Sequence, residues 1–514
     1  MKYFLMLIQL WVGFLPICAS YPKANIWIIP SVESPQVYRN YAQTSKVHLE
    51  MARGEVEHIQ LVFPSKVNEE YRFTFDRNLK GIQISARELK KMNGYYDALV
   101  PFKNQLKCTD TLTAVWITVQ CPSRVPVGKY HQTIKIEGSK HFTIQLDYNV
   151  HHTTIPLKSS IPITVGVENR CMTEGLNDKE ADKERQRWVD FVLSYRMTPV
   201  FGTQITPERW QYEHSFSPWA WNDKRSIRLL NDRRYSCYML PFFTLSENEL
   251  ASLLCNIQKK GKLKESLFYI WDEPAYMEDY EQIKQKVNII RKYASDARIL
   301  TTFFCGPRNG PRKGDLYAVF DYLKHHIHVA TISLAPCKGN EEEVQHIRYK
   351  VPEGIDWWSY VCWQPGGNEP NFLLQMKGIQ QRAIMWRTWK NGSQGFLYWN
   401  CNIYHKRNPF TYITDMPHGD GILIYPGDIL GRKGPIASAR LERWRDGAEE
   451  MELLRLVEKN YSKEKADTLL NIVYSSPLSF IEKAHNIPFF RKELLDQLDK
   501  TIPIDYKLRI TDFI

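Results

Sequence analysis

The chain has 514 residues, 43% of them hydrophobic, and 68 Lys+Arg against 57 Asp+Glu give it a formal charge of +11. That composition excludes a disordered or collagenous chain, and the basic residues form no run of five or more of the kind that marks a nucleic-acid arm. The length fits two or three domains, one of them as large as an α/β barrel, and 15 Trp with 28 Tyr supply rings that suit barrel cores and sugar clefts alike.

Residues 1–20 read as an export signal. Lys2 forms a short positive start, Tyr3 to Ile17 is almost wholly apolar, and Cys18-Ala19-Ser20 offers the small residues that precede cleavage before Tyr21. The alternative use of Cys18 is a lipid anchor, against which the bulky Ile17 counts. No later stretch reaches the roughly 18 continuous apolar residues of a membrane helix, so the expectation is an exported protein, periplasmic, secreted or on the cell surface. Export permits disulfides. The nine cysteines after Cys18 are scattered, and Cys108 with Cys121 is the pair to test.

Residues 21–157 show short alternating runs: Ile59, Leu61 and Phe63; Tyr71, Phe73 and Phe75; Val115, Ile117 and Val119; then Tyr130 to Ile136 and Phe142 to Val150. Short strands between turn signals such as Pro126 and Gly128 predict a β-sandwich. Over 158–435 the pattern changes to apolar strand, loop and amphipathic helix. Strand candidates fall at Ile161–Val167, Pro199–Gly202, Cys237–Phe243, Leu267–Trp271, Ile299–Phe303, Val329–Leu334, Trp357–Trp363 and Gly395–Asn400. Tyr280, Ile283, Val287 and Ile290 share one helical face, as do Phe372, Met376, Ile379, Ala383 and Trp386. Eight such units in this span predict a (β/α)8, TIM-like barrel. From 436 to 514 the chain reads as a helical extension packed on the barrel, with Leu441, Trp444, Ala448, Met451 and Leu454 in register.

A barrel of this kind carries its chemistry at the carboxyl ends of its strands. The fourth strand ends in Tyr269-Ile270-Trp271-Asp272-Glu273-Pro274. Two adjacent carboxylates raise one another's pKa where water is scarce, and a glycosidase needs one carboxyl protonated while its neighbour is ionised. A helix cap is the plainer role for Asp-Glu-Pro, but the strand-end position beside Trp271 favours chemistry. Later strand ends add Trp358 and Tyr360 on one face of the seventh strand, and Tyr398 and Asn400 with the intervening Trp399 on the eighth. Trp271, Trp358, Tyr360, Tyr398, Trp399 and Asn400 are therefore the candidate sugar contacts, by stacking and hydrogen bonding.

The sandwich-plus-barrel layout, the Tyr269 to Pro274 motif, Gly395-Phe396-Leu397-Tyr398-Trp399, and Gly419-Asp420-Gly421 running to Tyr425-Pro426-Gly427 resemble glycoside hydrolase family 123. So does Ser438-Ala439-Arg440-Leu441-Glu442 leading to Arg445-Asp446-Gly447. The resemblance implies a retaining β-N-acetylgalactosaminidase in which the substrate's own 2-acetamido group is the nucleophile. Glu273 takes the place of the family's acid and Asp272 that of the aspartate orienting the acetamido group; Tyr360 or Tyr398 would hold the acetamido carbonyl. The expected partner is a glycan carrying N-acetylhexosamine. No cofactor, metal or nucleic acid is expected.

Other plans find little support, since GxSxG, GxxxxGK[ST] and HExxH are all missing from the sequence. His325, His326 and His328 read as a solvated loop, Glu449, Glu450 and Glu452 as the charged outer face of a helix, and Asp420 as an Asx turn or a contact for one sugar hydroxyl. Two alternatives stand beside the main reading. One is a glycosidase for a different sugar, including a two-carboxylate enzyme in which Glu168 assists; the other is a carbohydrate-binding protein without turnover.

Overall fold

The computed structural model describes residues 25–76, 81–206, 211–404, 409–410 and 418–501. The expected export segment with Cys18 and the last residues of the expected helical extension lie outside them. Ten strands make the N-terminal region: β1 (Trp27–Pro30), β2 (Lys46–Arg53), β3 (Glu55–Pro64), β4 (Glu70–Phe75), β5 (Gln83–Met92), β6 (Tyr95–Pro101), β7 (Gln105–Lys107), β8 (Leu112–Cys121), β9 (Gly128–Glu137) and β10 (His141–Thr154). They form two five-stranded sheets, β1-β3-β8-β5-β6 and β2-β10-β9-β4-β7, antiparallel except for the β2–β10 pair. Ile59, Leu61, Phe63, Tyr71, Phe73, Val115, Ile117 and Val119 meet between them, as their alternation requires. Cys108 and Cys121 are both free thiols. Cys121 closes the ten-residue β8 and Cys108 precedes its start, so at about 3.3 Å per residue the whole strand separates them.

The second sheet has nine strands: β11 (Ile163–Glu168), β12 (Thr198–Thr206), β13 (Gln211–Ser215), β14 (Tyr238–Met239), β15 (Ser266–Trp271), β16 (Arg298–Phe303), β17 (Val329–Ser333), β18 (Asp356–Val361) and β19 (Gly395–Tyr398). Their order is β13-β12-β11-β19-β18-β17-β16-β15-β14, parallel except for β13 against β12. The two edges meet where Phe216 N–H donates to the Met239 carbonyl at 2.7 Å, so the sheet is nearly closed and barrel-like. Every expected strand is present, with two departures. The third shrinks to Tyr238–Met239 because Pro241 has no N–H to continue the ladder. The hairpin partner β13 was not expected; its Gln211-Tyr212-Glu213-His214-Ser215 has no apolar alternation.

Helices α1 (Asn169–Thr173), α2 (Asp178–Leu193), α3 (Lys224–Leu229), α4 (Glu247–Lys259), α5 (Met277–Arg291), α6 (Ala318–Leu323), α7 (Glu341–Lys350) and α8 (Gly378–Lys390) connect these strands. Tyr280, Ile283, Val287 and Ile290 of α5 are fully buried. Phe372 and Met376 precede α8 rather than riding on it. A small hairpin, β20 (Ile424–Pro426) and β21 (Pro435–Ala437), leads to α9 (Ala439–Asn460), α10 (Lys463–Leu470) and α11 (Ile487–Asp499).

Helix α9 overturns the expectation of a charged outer face. It lies between α8 and the first sheet of the sandwich, so Glu449, Glu450 and Glu452 are at most 3% exposed. A β-carbon on Gly447 would sit 2.2 Å from the Arg382 carbonyl oxygen, so only glycine permits this approach to α8. Arg382 reaches Glu450 Oε1 at 2.6 Å and Asp446 Oδ2 at 3.0 Å. From β3, His58 Nε2 stands 3.1 Å from Glu442 Oε2, and Arg196 Nε donates to Glu449 Oε1 at 3.0 Å. Glu452 accepts from Ser159, from Ser160 N–H and from the Ser160 hydroxyl. Among the described residues no helix is long and apolar enough to cross a membrane.

Candidate active site

Strand β15 starts as an ordinary inward-outward alternation, with Leu267 and Tyr269 facing the barrel interior and Phe268 and Ile270 facing the helices. A register shift against β16 then breaks it: Tyr269 pairs with Leu300, and Trp271 pairs with Thr301. The extra residue turns Trp271 outward onto the main core, where the Lys286 ammonium lies 5.3 Å from its ring, and brings Asp272 inward. Asp272 Oδ1 then accepts from the Tyr269 hydroxyl at 2.8 Å and the Thr302 hydroxyl at 2.6 Å. Both donors use the same oxygen, which leaves Oδ2 facing the cleft.

Glu273 follows with φ of +46°, a left-handed conformation that a non-glycine residue adopts at some cost. Its N–H donates to Thr302 Oγ1 at 3.0 Å, so one threonine hydroxyl fixes both acidic residues. The Tyr360 hydroxyl donates to Glu273 Oε1. Burial, with the Asp272 charge second, pushes the Glu273 carboxyl up to about 7. Burial likewise holds the Tyr360 phenol well above its usual value, so it remains a donor.

These groups line a cavity of about 280 Å3 at the carboxyl ends of the strands, which Met239, Tyr398, Trp399 and Asn400 also line. Asp420, in the loop before β20, accepts from Tyr398 OH at 3.1 Å and from Trp399 Nε1 at 3.0 Å, which fixes both rings. Burial lifts its own carboxyl to about 6. On the opposite wall the His214 ring stacks on Tyr269, with centroids 4.2 Å apart and planes 14° from parallel. Burial depresses His214 to about 3 and keeps the imidazole neutral.

A profile described as "Glycoside hydrolase 123, catalytic domain" matches residues 183–457. The chain belongs to glycoside hydrolase family 123. No curated protein sequence matches it. Among solved structures, a family 123 glycoside hydrolase from Clostridium perfringens, described in terms of glycolipid glycan hydrolysis, aligns over 96% of this chain and 100% of its own at 13% identity and a TM-score of 0.66. At that identity the likeness is one of fold. A family 2 β-galacturonidase from Eisenbergiella tayi aligns over 77% of this chain and 90% of its own, at 8% identity and a TM-score of 0.34.

The cleft of this family 123 glycosidase holds Asp272, Glu273, Tyr360, Tyr398, Trp399 and Asn400 from the sequence-based set. Trp358 is not there. It shares a face with Tyr360, but it lies two residues deeper in the barrel, 1% exposed and packed against Gly395, where a β-carbon would meet its ring at 2.2 Å. Trp271 lines a neighbouring cavity instead. The Tyr398 hydroxyl donates to Asp420 and accepts from Gly421 N–H at 2.9 Å, so it is not free for an acetamido carbonyl; the Tyr360 proton goes to Glu273. Asp420 is absent from the cavity wall and holds rings rather than sugar. Glu168 caps α1 through Arg170 N–H at 3.2 Å and does not line the cavity, which removes it as a second carboxylate. His325, His326 and His328 sit before β17, but only His325 is exposed; His328 is partly buried and its Nδ1 accepts from Ile299 N–H at 3.2 Å, so the expected solvated loop holds only in part. Among the described residues no group of three or more His, Cys, Asp or Glu is placed to hold a metal ion.

The sequence reading passed over Thr302 and His214. Thr302 had a signal, because a polar residue at an inward position of a strand adjoining the acidic pair must face it. His214 had none, since β13 carries no strand pattern.

Proposed function

We propose that this enzyme is an exported, retaining β-N-acetylgalactosaminidase that works through its substrate's 2-acetamido group. The observation that carries the reading is the division of labour in the acidic pair. Asp272 has one oxygen saturated by Tyr269 and Thr302 and the other open to the cleft, while Glu273 is lifted to about 7 beside it. In substrate-assisted hydrolysis the acetamido oxygen attacks the anomeric carbon, and no enzyme nucleophile is needed. The free Asp272 oxygen accepts the acetamido N–H and stabilises the positive charge of the oxazolinium. Glu273 gives its proton to the departing glycosidic oxygen, then takes one from the water that opens the ring, a role suited to a carboxyl near neutrality. Trp399 and Tyr398, their polar atoms bound to Asp420, offer ring surface to the sugar. The apolar segment before Tyr21 supports export.

The test is Asp272→Asn, assayed for turnover of aryl 2-acetamido and 2-hydroxy galactosides and for calorimetric binding of N-acetylgalactosamine. The expected outcome is binding within about tenfold of wild type and a loss of about 3 kcal/mol or more in transition-state stabilisation, the scale of one preorganised electrostatic partner. Near-normal turnover would reduce Asp272 to a cap. Equal turnover of both sugars by the wild type would end substrate assistance, and firm sugar binding without any turnover would leave a lectin-like protein.

A further inference from the structure

A chain of buried contacts runs from the sandwich to the wall of the cleft. It starts in β6, where Ala98 bridges to Ser438 just before α9, and Asp97 Oδ2 accepts from Arg440 Nε at 3.0 Å and from the Tyr425 hydroxyl at 2.6 Å. Arg440 is 1% exposed and, among the described residues, Asp97 is the carboxylate it pairs with. Its two terminal nitrogens also reach main chain: Nη1 donates to the Gly419 carbonyl at 2.7 Å and the Phe372 carbonyl at 2.8 Å, and Nη2 to the Ile422 carbonyl. Gly419 and Ile422 bracket Asp420, the carboxylate that holds Tyr398 and Trp399. We infer that Asp97 and Arg440 are positioning residues of the catalytic cleft, through which the β-sandwich sets where these two rings stand. This rests on the reading of Tyr398 and Trp399 as ring surface for the sugar.

The targets of those donors separate this arginine from Arg382 at the other end of α9. Arg382 meets side-chain carboxylates and ties α8 to α9. Arg440 meets the carbonyls on either side of Asp420, and a planar guanidinium fixes direction as well as distance. Space around it is tight, since a β-carbon on Gly419 would come within 2.6 Å of Nη1. Asp420 takes both ring donors on Oδ1, and the Tyr398 hydroxyl accepts from Gly421 N–H at 2.9 Å, so rings and turn are tied to one another. A second sandwich contact reaches the same turn, from Asn93 to His418 Nδ1. None of these groups bonds Asp272 or Glu273, whose hydroxyl partners are Tyr269, Thr302 and Tyr360. The relay should therefore act on how the sugar is held and leave the titration of the acid alone. Misplacing a contact by about 1 Å from a distance can cost on the order of a hundredfold.

The test measures kcat, KM and the pH profile of kcat/KM on an aryl 2-acetamido galactoside, with calorimetric binding of N-acetylgalactosamine. The variants are Asp97→Asn, Arg440→Lys, Asp420→Asn and the double change Asp97→Asn with Asp420→Asn. Asp97→Asn and Arg440→Lys should each weaken sugar binding and raise KM by about tenfold or more, with the basic limb of the profile still near pH 7. Because both sites act through one turn, the double variant should bind no more than about twofold worse than the poorer of its parents. Glu450→Ala, which loosens the joint without touching the turn, should keep the wild-type KM. Multiplied losses in the double variant would overturn the relay, as would unchanged KM and binding in folded Asp97→Asn and Arg440→Lys. An equal rise of KM in Glu450→Ala, or a basic limb that moved together with KM, would overturn it too, since the effect would then follow general loosening of the fold. If Asp97→Asn does not fold, Arg440→Lys combined with Asp420→Asn completes the same cycle. A wild type that neither binds nor turns over the sugar would instead refute the proposed function, and this inference with it.

Discussion

The carboxylates of α9 each meet a cation or a set of donors: Glu450 has Arg382, Arg491 and the Trp386 indole, Asp446 has Arg382 and His58, and Glu442 has Arg87 and Arg445. The pair at the end of β15 meets neutral hydroxyls from Tyr269, Thr302 and Tyr360, and among the described residues it forms no ion pair. Both regions gather acid in a protein of net positive charge, the first fully buried and the second open to the cleft. Counter-ions make the first a structural joint and hold the Glu442 and Asp446 carboxyls below their usual values; in the second, burial and the Asp272 charge outweigh the nearby Arg308 and leave Glu273 near neutrality. The reactive pair is the one that, among the described residues, no arginine bonds directly.

Removing one partner from the joint should have the largest effect. Glu450→Ala takes the shared carboxylate from Arg382 and Arg491, which keep Asp446 and the Glu55 and Glu57 pair respectively, so the loss should fall at the low end of the about 3–5 kcal/mol scale for breaking a buried ion pair. Denaturant unfolding measures it; a loss under about 1 kcal/mol would mean that water or neighbouring acids make good the deficit. Glu273→Gln should leave folding intact and lower kcat by on the order of a hundredfold or more on natural glycosides, with a smaller loss on aryl glycosides whose leaving groups need less protonation. The same factor on both substrates would deny Glu273 its role as acid.

The pH profile sharpens the contrast further. Glu273 must hold its proton when the bond breaks, so kcat/KM on a poor leaving group should fall above about pH 7, by about tenfold per unit. A basic limb that starts near pH 5 would show that the carboxyl is not lifted. The smallest effect is on stability. A carboxyl whose pKa is raised on folding contributes stability below its unfolded value, and that contribution is lost as pH rises through the folded value. Glu273→Gln should therefore raise Tm relative to wild type at pH 8 and leave it unchanged at pH 4. The reverse order would mean that the native cleft favours the ionised form.

Much of this was legible in the sequence. The apolar strands of the barrel are regularly spaced, and Tyr269 to Pro274 places two acids at a strand end whatever the exact register. The misreadings have physical causes. Parity assigns a face but not a depth, so Trp358 and Tyr360 looked equivalent although one fills the interior and the other reaches the cleft. A bulge exchanges faces without a mark in composition, which moved Trp271 out and Asp272 in. The acids of α9 follow a pattern that normally means solvent, and their pairing depends on Arg382, Arg196 and His58, which are distant in the chain.

Helix α9 also bears on how the protein can be divided. The span matched by the family profile starts inside α2, so it omits β11, the strand between β12 and β19, along with all of the sandwich. A chain cut back to the barrel would expose to water the acids that now face His58 and Arg87, and would lose the Val56 N–H that donates to Glu449 at 2.9 Å. The sandwich is thus half of the socket in which this helix sits. Shortened forms of the enzyme should be sought by trimming loops, because cutting between the two regions would pass through shared charge.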